Sequence, residues 1–465
     1  MDRKSDTPEL KLARQTIRGV LIIPPPAYLI TPPEPGGTQG HHARRAFPTH
    51  QGMSPDPSQW NWETRPRLAA VHTFRRGHTP DPKNILITFG RSFLTLELAR
   101  LMAAGGHHVT LVDSIPIGIG RFSKAVSGFH KVPPPKFAPR EYCHALARIV
   151  AAERIDLVIP IHEETDIIAM MMDIFPPECG LFLSDFELEN RLHHKYEFQR
   201  FLTERGIPTR KYAQVVGPED VPALDFTEPF ALKKVYSRGS QKVHKVFPGD
   251  DLSGLDHDAD NPWIAQEWAS GDKYCTYSVC HEGRIRAHAT YPVDYAIDGS
   301  SCLNFTSARH DGIFTWVKDF VADIGVTGQI GFDFIEDADG LFCIECNPRA
   351  TSGIMMFAPE DGIDRAFLDL DPDAPVIEPA ADVNEMIGLG MLLYGWRRES
   401  RRDRTIRQFF RDFRGSDDVI TCQGDQMPAV MLPIAYAGIL RSCVRYKVGL
   451  AEGFMHDHEW DGHRL

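Results

Sequence analysis

The sequence predicts an α/β protein in which a Rossmann-like lobe precedes a strand-rich region and a mostly helical end. Apolar runs alternate with helical stripes over residues 84–160. Paired strand-like runs follow from about residue 230 to a hairpin ending at Asn347. Helical periodicity with an arginine-rich stretch returns after about residue 382. At 465 residues the chain exceeds what one hydrophobic core serves, so several packed units are expected.

Residues 1–80 contain PPPAYLITPPEPGGTQGHH and no sustained apolar period, and they read as an extended or partly disordered arm. From Asn84, NILITF has the character of a buried parallel strand. RSFLTLELARLMAAGGHHV carries a helical stripe ending in Gly105 and Gly106, and VTLVDS is a second strand. SKAVSGFHKVPPP reads as a connection, YCHALARIVAAERI as a helix and DLVIPI as a third strand. This alternation implies a parallel sheet covered by helices over residues 81–190. A helix including Lys195 to Arg205 closes at GIPT. The pattern over 191–380 then turns to strands: FALKKV, KVHKVF, WIAQEW, CTYSVCHEG and RIRAHATY. Helical TWVKDFVADIG leads into GQIGFDFIED and GLFCIECN, a hairpin about an Asp-Gly turn. In the helical region 381–465, the segment WRRESRRDRTIRQFFRDFRG is either a solvated helix face or a surface for an anionic partner.

Composition narrows the function. A net charge of −12 argues against a nucleic-acid-binding surface, which gains affinity by neutralising phosphates with Lys and Arg. Charges recur through MDRKSDTPELKLARQ, so no secretory signal is read and a cytoplasmic protein is expected. The most apolar late stretch, Met427 to Leu440, carries two prolines and runs into Arg441. It falls short of the roughly 18–20 residues a membrane span needs, so no transmembrane helix and no membrane partner are expected. Nine scattered cysteines point to reduced thiols. Cys343 and Cys346, three apart in a strand, should face opposite ways, which argues against a zinc or redox pair. A small-molecule substrate fits this chain best.

The hairpin GQIGFDFIEDADGLFCIECNPR carries the sharpest chemistry. A three-residue loop of Ala338, Asp339 and left-handed Gly340 would pair Asp337 with Leu341 and set Asp333 opposite Glu345; an even loop would break this. Asp333, Glu345 and Asn347 would then share one face, with Phe332, Phe334, Phe342, Ile344 and Cys346 on the other. Three hard oxygen ligands on one face suit Mg²⁺ bridging nucleotide phosphates, with Mn²⁺ as the alternative ion. Arg349, just past Pro348, can clamp a transferring phosphoryl group or a phosphorylated intermediate. The competing reading is a solvent-exposed acidic hairpin with an incidental arginine. In FALKKVYSRGSQKV, a strand delivers Lys233 and Lys234 to a turn of Ser237, Gly239 and Ser240. Backbone amides there can cradle phosphates, although a solvated edge hairpin has the same composition. WIAQEWASGDKYC can hold adenine through a strand end while an acid reaches the ribose.

In this order, a Rossmann-like lobe, a helix with Lys195, a strand with Lys233, the QEW segment and D…E-x-N-x-R, the chain resembles the ATP-grasp superfamily, to which biotin carboxylase and carbamoyl phosphate synthase belong. ECNPR matches that family's E-x-N-P-R signature. The resemblance implies an ATP-grasp domain of two nucleotide-clamping subdomains, with metal binding by Asp333, Glu345 and Asn347, and phosphate or intermediate stabilisation by Arg349. It further implies nucleotide-phosphate contacts by Lys195 and Lys233, and an adenine-holding hinge at Gln266, Glu267 and Trp268, the last two partly through backbone. Where the family commonly has a ribose-binding Glu this chain has Lys273, so either Asp272 takes the role or the ribose is held otherwise.

Within the superfamily, NILITF…ELARLMAAGGHHVTLVDS, GRFSKAVSGFHKVPPP, WIAQEW…CTYSV and TGQIGFDFIEDADGLFCIECNPRATSGIMMF look most like the ligases of mycosporine biosynthesis, which join glycine to 4-deoxygadusol. The implied reaction is ADP-forming C–N ligation of an amino acid or other amine to a carboxylate or enolic acceptor. ATP and Mg²⁺ are the implied cofactors, and a homodimer is compatible. His288 to Arg309 departs from the relatives' pattern, which leaves the acceptor open. Arg309 and His310 either meet an anionic substrate or form an ordinary surface pair. Glu163 and Glu164, at a strand's carboxyl end, either face a ligand or cap a helix. A kinase releasing a phosphorylated product and a non-catalytic nucleotide-binding regulator are the alternatives to ligation.

Overall fold

The computed structural model describes residues 74–465 apart from 239–242, 298–300, 370 and 372. The predicted arm therefore lies outside the described residues as far as residue 73. Five parallel strands come first: β1 (Asn84–Ile87), β2 (His108–Asp113), β3 (Val126–Lys131), β4 (Leu157–Ile159) and β5 (Gly180–Leu181), in the order β3-β2-β1-β4-β5. Ile85, Leu86 and Ile87 are fully buried, as a central strand covered on both faces requires. The helix Phe93–Ala104 is capped by the Ser92 side chain and stops at Gly105. Gly106 follows with φ +97°, where a Cβ would stand 2.7 Å from the Thr79 nitrogen. The helix Pro139–Glu153 crosses from β3 to β4.

β3 corrects the sequence reading, which treated its residues as a connection. It is a half-exposed edge strand, and an edge strand lacks the continuous apolar run by which a central one is recognised.

Two antiparallel sheets follow. β6 (Tyr212–Val215), β7 (Phe230–Lys234), β8 (His244–Val246) and β9 (Trp263–Glu267) are ordered β6-β9-β7-β8. β10 (Asp272–His281), β11 (Arg284–Pro292) and the hairpin strands are ordered β11-β10-β15-β16. Between them lie the short β12 (Ala296–Ile297), β13 (Ser301–Cys302) and β14 (Asn304–Thr306); β15 is Gly328–Asp337 and β16 is Gly340–Asn347. β14 joins a small sheet with β17 (Asn384–Met386) and β18 (Asp417–Asp418). The helices Lys195–Glu204 and Asp311–Ile324 cover the hairpin's core face. Phe198, Phe201 and Leu202, at helical spacing, meet Phe332 and Phe334 together with Val317 and Phe320. Each such buried aromatic contributes roughly 1.5–3 kcal/mol.

The hairpin reaches the expected pairing by an unexpected route. Asp337 pairs with Gly340, so the loop holds Ala338 and Asp339 alone, an even loop that by itself would break the register. A bulge at Ile344 restores it, and Asp333 stands opposite Glu345 with Gly331 opposite Asn347. The bulge also corrects the predicted faces. Phe332, Phe334 and Cys346 are core as expected, Cys343 joins them, and Ile344 turns to the other side, where it lines a cavity. Phe342 lies under the Arg210 guanidinium instead of in the core. Cys343 and Cys346 thus share a face, against expectation, as buried free thiols whose pKa burial pushes well up. A maleimide applied to the folded protein is expected to leave both unlabelled and to modify them after denaturation.

The late apolar segment also differs from its reading. A helix runs Met427–Tyr446 straight through Pro433 and Arg441; it is long and apolar enough to cross a membrane, and 17% of its most apolar window is buried. Pro428 sits in the first turn, where its missing N–H costs nothing; Pro433 lies inside the helix, which continues past it although the ring removes one intrahelical hydrogen bond.

Candidate functional site

Strand alternation aims the charged groups. In β7, Phe230, Leu232 and Lys234 face the core around Trp263, where the Lys234 ammonium lies 4.6 Å from the indole centroid. Ala231 and Lys233 face the other way. Lys233 enters a cavity of about 530 Å³ that Lys195, Gln266, Asp333 and Glu345 also line, a volume in the ordinary range for small-molecule sites. One sheet supplies Lys233 and Gln266, the other Asp333 and Glu345, so the cavity lies between two β-layers.

The centre of the cavity is an ion cluster. Lys195 Nζ donates to the Ser237 carbonyl at 2.6 Å and pairs with Glu345 at 3.2 Å; Lys233 Nζ lies 3.7 Å from the other Glu345 oxygen. Burial drives the Lys195 pKa down, partly offset by Glu345. Burial opposes ionisation of Glu345, yet Lys195 and Lys233 hold its carboxyl below the usual range. Asp333 is pushed up, by burial first and then by the Glu345 charge, with the neighbouring Cys275 side chain acting the other way. Two partly buried carboxylates paired across the hairpin are a donor pair whose repulsion a hard divalent cation relieves; Asn347, two residues past Glu345 on the same strand, is not among the residues that line the cavity. Among the described residues no three His, Cys, Asp or Glu side chains gather into a metal cluster, so Asn347 and phosphate or water oxygens would have to complete the shell. The Asn347 amide oxygen accepts from Arg349 Nη2 at 2.9 Å, while Arg349 Nη1 donates to the Ala350 carbonyl and buried Nε has no partner among the described residues.

Other expected residues stand as follows. Gln266, Glu267 and Trp268 line the cavity, but the backbone N–H groups of Glu267 and Trp268 already donate to the carbonyls of Lys211 and Pro229. The hinge amides are therefore occupied by the protein itself. Ser237 lines the cavity with its hydroxyl turned back onto the Lys234 carbonyl. Gly239 and Ser240 lie outside the described residues. The structure does not bring Asp272 here: its carboxylate is largely exposed and pairs with Arg402 at 3.0 Å, whereas Lys273 lines the cavity. A one-residue shift along a strand reverses the side chain's face, which is why Asp272 and Lys273 are placed differently. Arg309 is likewise elsewhere, 81% exposed, 3.8 Å from Glu378 beside a separate cavity of about 230 Å³. His310 caps the helix Asp311–Ile324 by accepting from the Ile313 N–H.

Sequence reasoning missed Lys245, which lines the cavity with its ammonium 4.5 Å from the Trp268 ring centroid, and Arg238. It also left open Glu163 and Glu164. Both are buried: Glu163 pairs with Arg238, and Glu164 accepts from the N–H groups of Ile161 and His162 and meets His458 at 3.2 Å. Among their partners, the His458 ring and the Trp460 N–H come from residues 457–461, and the run DHEWD, dense in hydrogen-bonding groups around one tryptophan, was the available signal.

Comparison with known proteins follows this geometry. Residues 192–353 match the family model described as the ATP-grasp domain. N5-carboxyaminoimidazole synthetase from Staphylococcus aureus superposes with a TM-score of 0.51 at 12% identity, covering 79% of this chain and 99% of that one. The N5-carboxyaminoimidazole synthase from Aspergillus clavatus, in complex with ADP and 5-aminoimidazole ribonucleotide, gives 0.51 at 17% identity, covering 66% and 82%. Biotin carboxylase from Campylobacter jejuni gives 0.50 at 14%, covering 65% and 73%. No curated protein sequence matches the chain. At such identities the likeness carries the fold and leaves the substrates to the site.

Proposed function

Proceeding from the premise that residues 192–353 are an ATP-grasp domain within the α/β fold of that superfamily, we propose that the chain is an ADP-forming carbon–nitrogen ligase. The observation that carries this reading is the meeting of Lys195 and Lys233 with Asp333 and Glu345 in one cavity between two sheets.

ATP is the phosphoryl donor. An acceptor oxygen, carboxylate or enolate, attacks the γ-phosphorus and ADP departs with the broken P–O electron pair; an amine then attacks the carbon bearing the phosphorylated oxygen and inorganic phosphate leaves. Such transfer asks positioning and charge of the protein, not a nucleophile. Lys195 and Lys233 supply positive charge to the phosphates, exchanging Glu345 for them as the nucleotide enters. Gln266 and the wall of Ile335 and Ile344 suit the base. Asp333, Glu345 and Asn347 would hold Mg²⁺, which supplies neutralisation of phosphate charge. Arg349 does not itself line the cavity, but its buried Nε, without a partner among the described residues, is a donor that a phosphoryl group reaching it would satisfy.

For the finer identity we propose an amino acid as the amine and a cyclohexenone-type enol as the acceptor. The test measures phosphate and ADP release with MgATP against a panel of amino acids, each with and without 4-deoxygadusol. Release that requires both supports this acceptor. Amine-dependent release with carboxylates keeps the ligase and changes the acceptor. A stable phosphorylated product means a kinase, and tight MgATP binding without turnover means a regulator.

A further inference from the structure

In a parallel sheet ordered β3-β2-β1-β4-β5, the crevice between the carboxyl ends of β1 and β4 is where open α/β folds take ligands. Here the chain fills it with its own residues 457–462. Asp457 pairs with Arg91 just past β1, His458 with Glu164 just past β4, and the Trp460 N–H donates to Glu163 at 3.0 Å.

From that crevice the segment reaches the wall of the nucleotide cavity. The Trp460 ring is 5% exposed and packs edge-on against Tyr236, centroids 5.0 Å apart. Gly462 has φ +96° and approaches the Tyr236 ring so closely that a Cβ would stand 2.6 Å from it. Arg238 Nη2 donates to the Trp460 carbonyl at 2.9 Å, Nη1 to Asp461 at 3.1 Å, and Nε to Glu163 at 2.9 Å. Glu459 lies 3.5 Å from the same guanidinium. With Glu163, Glu459 and Asp461 around one cation, Arg238 has no charge to spare for a phosphate, although it lines the cavity. Its bonds tie Arg238 to Glu163 and to the segment at Trp460 and Asp461. Between Tyr236 and Arg238 is Ser237, whose carbonyl receives Lys195 at 2.6 Å.

We infer that Asp457–Gly462 is a positioning element of the nucleotide cavity: it clamps Tyr236–Arg238 and thereby fixes where the Lys195 ammonium stands. The inference rests on the nucleotide reading of that cavity. Nucleotide affinity then depends on a segment that itself touches no nucleotide.

The test compares wild type, Trp460→Ala, Trp460→Phe and Asp461→Asn, measuring calorimetric affinity for the magnesium complex of a non-hydrolysable ATP analogue alongside the thermal midpoint. Trp460→Ala and Asp461→Asn are expected to bind about tenfold or more weakly, since misplacement by about 1 Å costs up to ~10²-fold. Trp460→Phe, which keeps an aromatic ring on Tyr236, is expected to recover affinity to within about threefold. A merely structural segment would move the midpoint and leave the affinity of the folded variant alone. Folded Trp460→Ala with affinity within about twofold of wild type overturns the inference. If Trp460→Ala does not fold, Asp461→Asn, altered at a partly exposed carboxylate, decides by the same criterion. Failure of the wild type to bind the analogue overturns the nucleotide reading and this inference together, whereas wild-type binding with unaffected variants overturns this inference alone.

Discussion

Glu345→Gln is expected to lower ATP turnover by roughly 10²–10³-fold or more, the scale on which one preorganised charge at a phosphoryl-transfer site acts. Glu345 is the hub of the cluster, 3.2 Å from Lys195, 3.7 Å from Lys233 and directly opposite Asp333 in the hairpin. The amide keeps the volume and removes the charge, so a fall in turnover with an unchanged thermal midpoint assigns the effect to electrostatics. The variant also has a pH signature. Burial lowers the Lys195 pKa and Glu345 is the main group that raises it again. Without Glu345 the pKa falls further, so Lys195 loses its proton at a lower pH than in the wild type. Nucleotide affinity of the variant should therefore decline at a lower pH as pH rises. Turnover within about threefold of wild type would remove Glu345 from the phosphate and metal machinery.

How much of this was legible beforehand depended on whether the deciding interaction is local. The pairing of Asp333 with Glu345 was readable because strand alternation and turn composition are near-neighbour properties. The compensation of a short loop by the Ile344 bulge was not, since an extra unpaired residue leaves no compositional mark, and with it went the faces of Cys343, Ile344 and Phe342. β1, β2 and β4 announced themselves as apolar runs; β3 lies on an edge, so packing never demanded such a run of it. Lys195, Lys233 and Gln266, expected from their order along the chain, line one cavity. Asp272 lies outside that cavity because one position on a strand decides between cavity and solvent. The fill of the sheet crevice by residues 457–461 depends on contacts across roughly 300 residues of sequence, from Glu163 and Glu164 to Trp460 and His458. No periodicity encodes such a contact.

That crevice contains the largest expected effect on stability. Arg91 is 1% exposed; it bonds Asp113 through its side chain and through its own N–H at 2.7 Å, and it reaches Asp457 at 3.0 Å. Asp457 in turn accepts from Ser114. Replacing Arg91 by Met keeps much of the volume but strands two buried carboxylates without a cation, at a cost of about 3–5 kcal/mol. Urea titration should reveal a lowered midpoint, and adding Asp457→Asn to Arg91→Met should recover part of the loss, because one of the stranded charges is then gone. Acid acts on the same triad. Burial opposes ionisation of Asp457, but Arg91 and neighbouring donors hold its carboxyl down at about 2. Its folded value is thus below the unfolded value of about 3.9. The stabilisation is complete above the unfolded value and is lost as pH falls from there through about 2. Wild type should therefore lose stability over that interval more steeply than Arg91→Met, in which Asp457 has lost the cation that depresses it. Equal slopes, or a variant within about 1 kcal/mol of wild type at neutral pH, would mean that the triad contributes packing alone and that the segment is held in the crevice chiefly by Trp460.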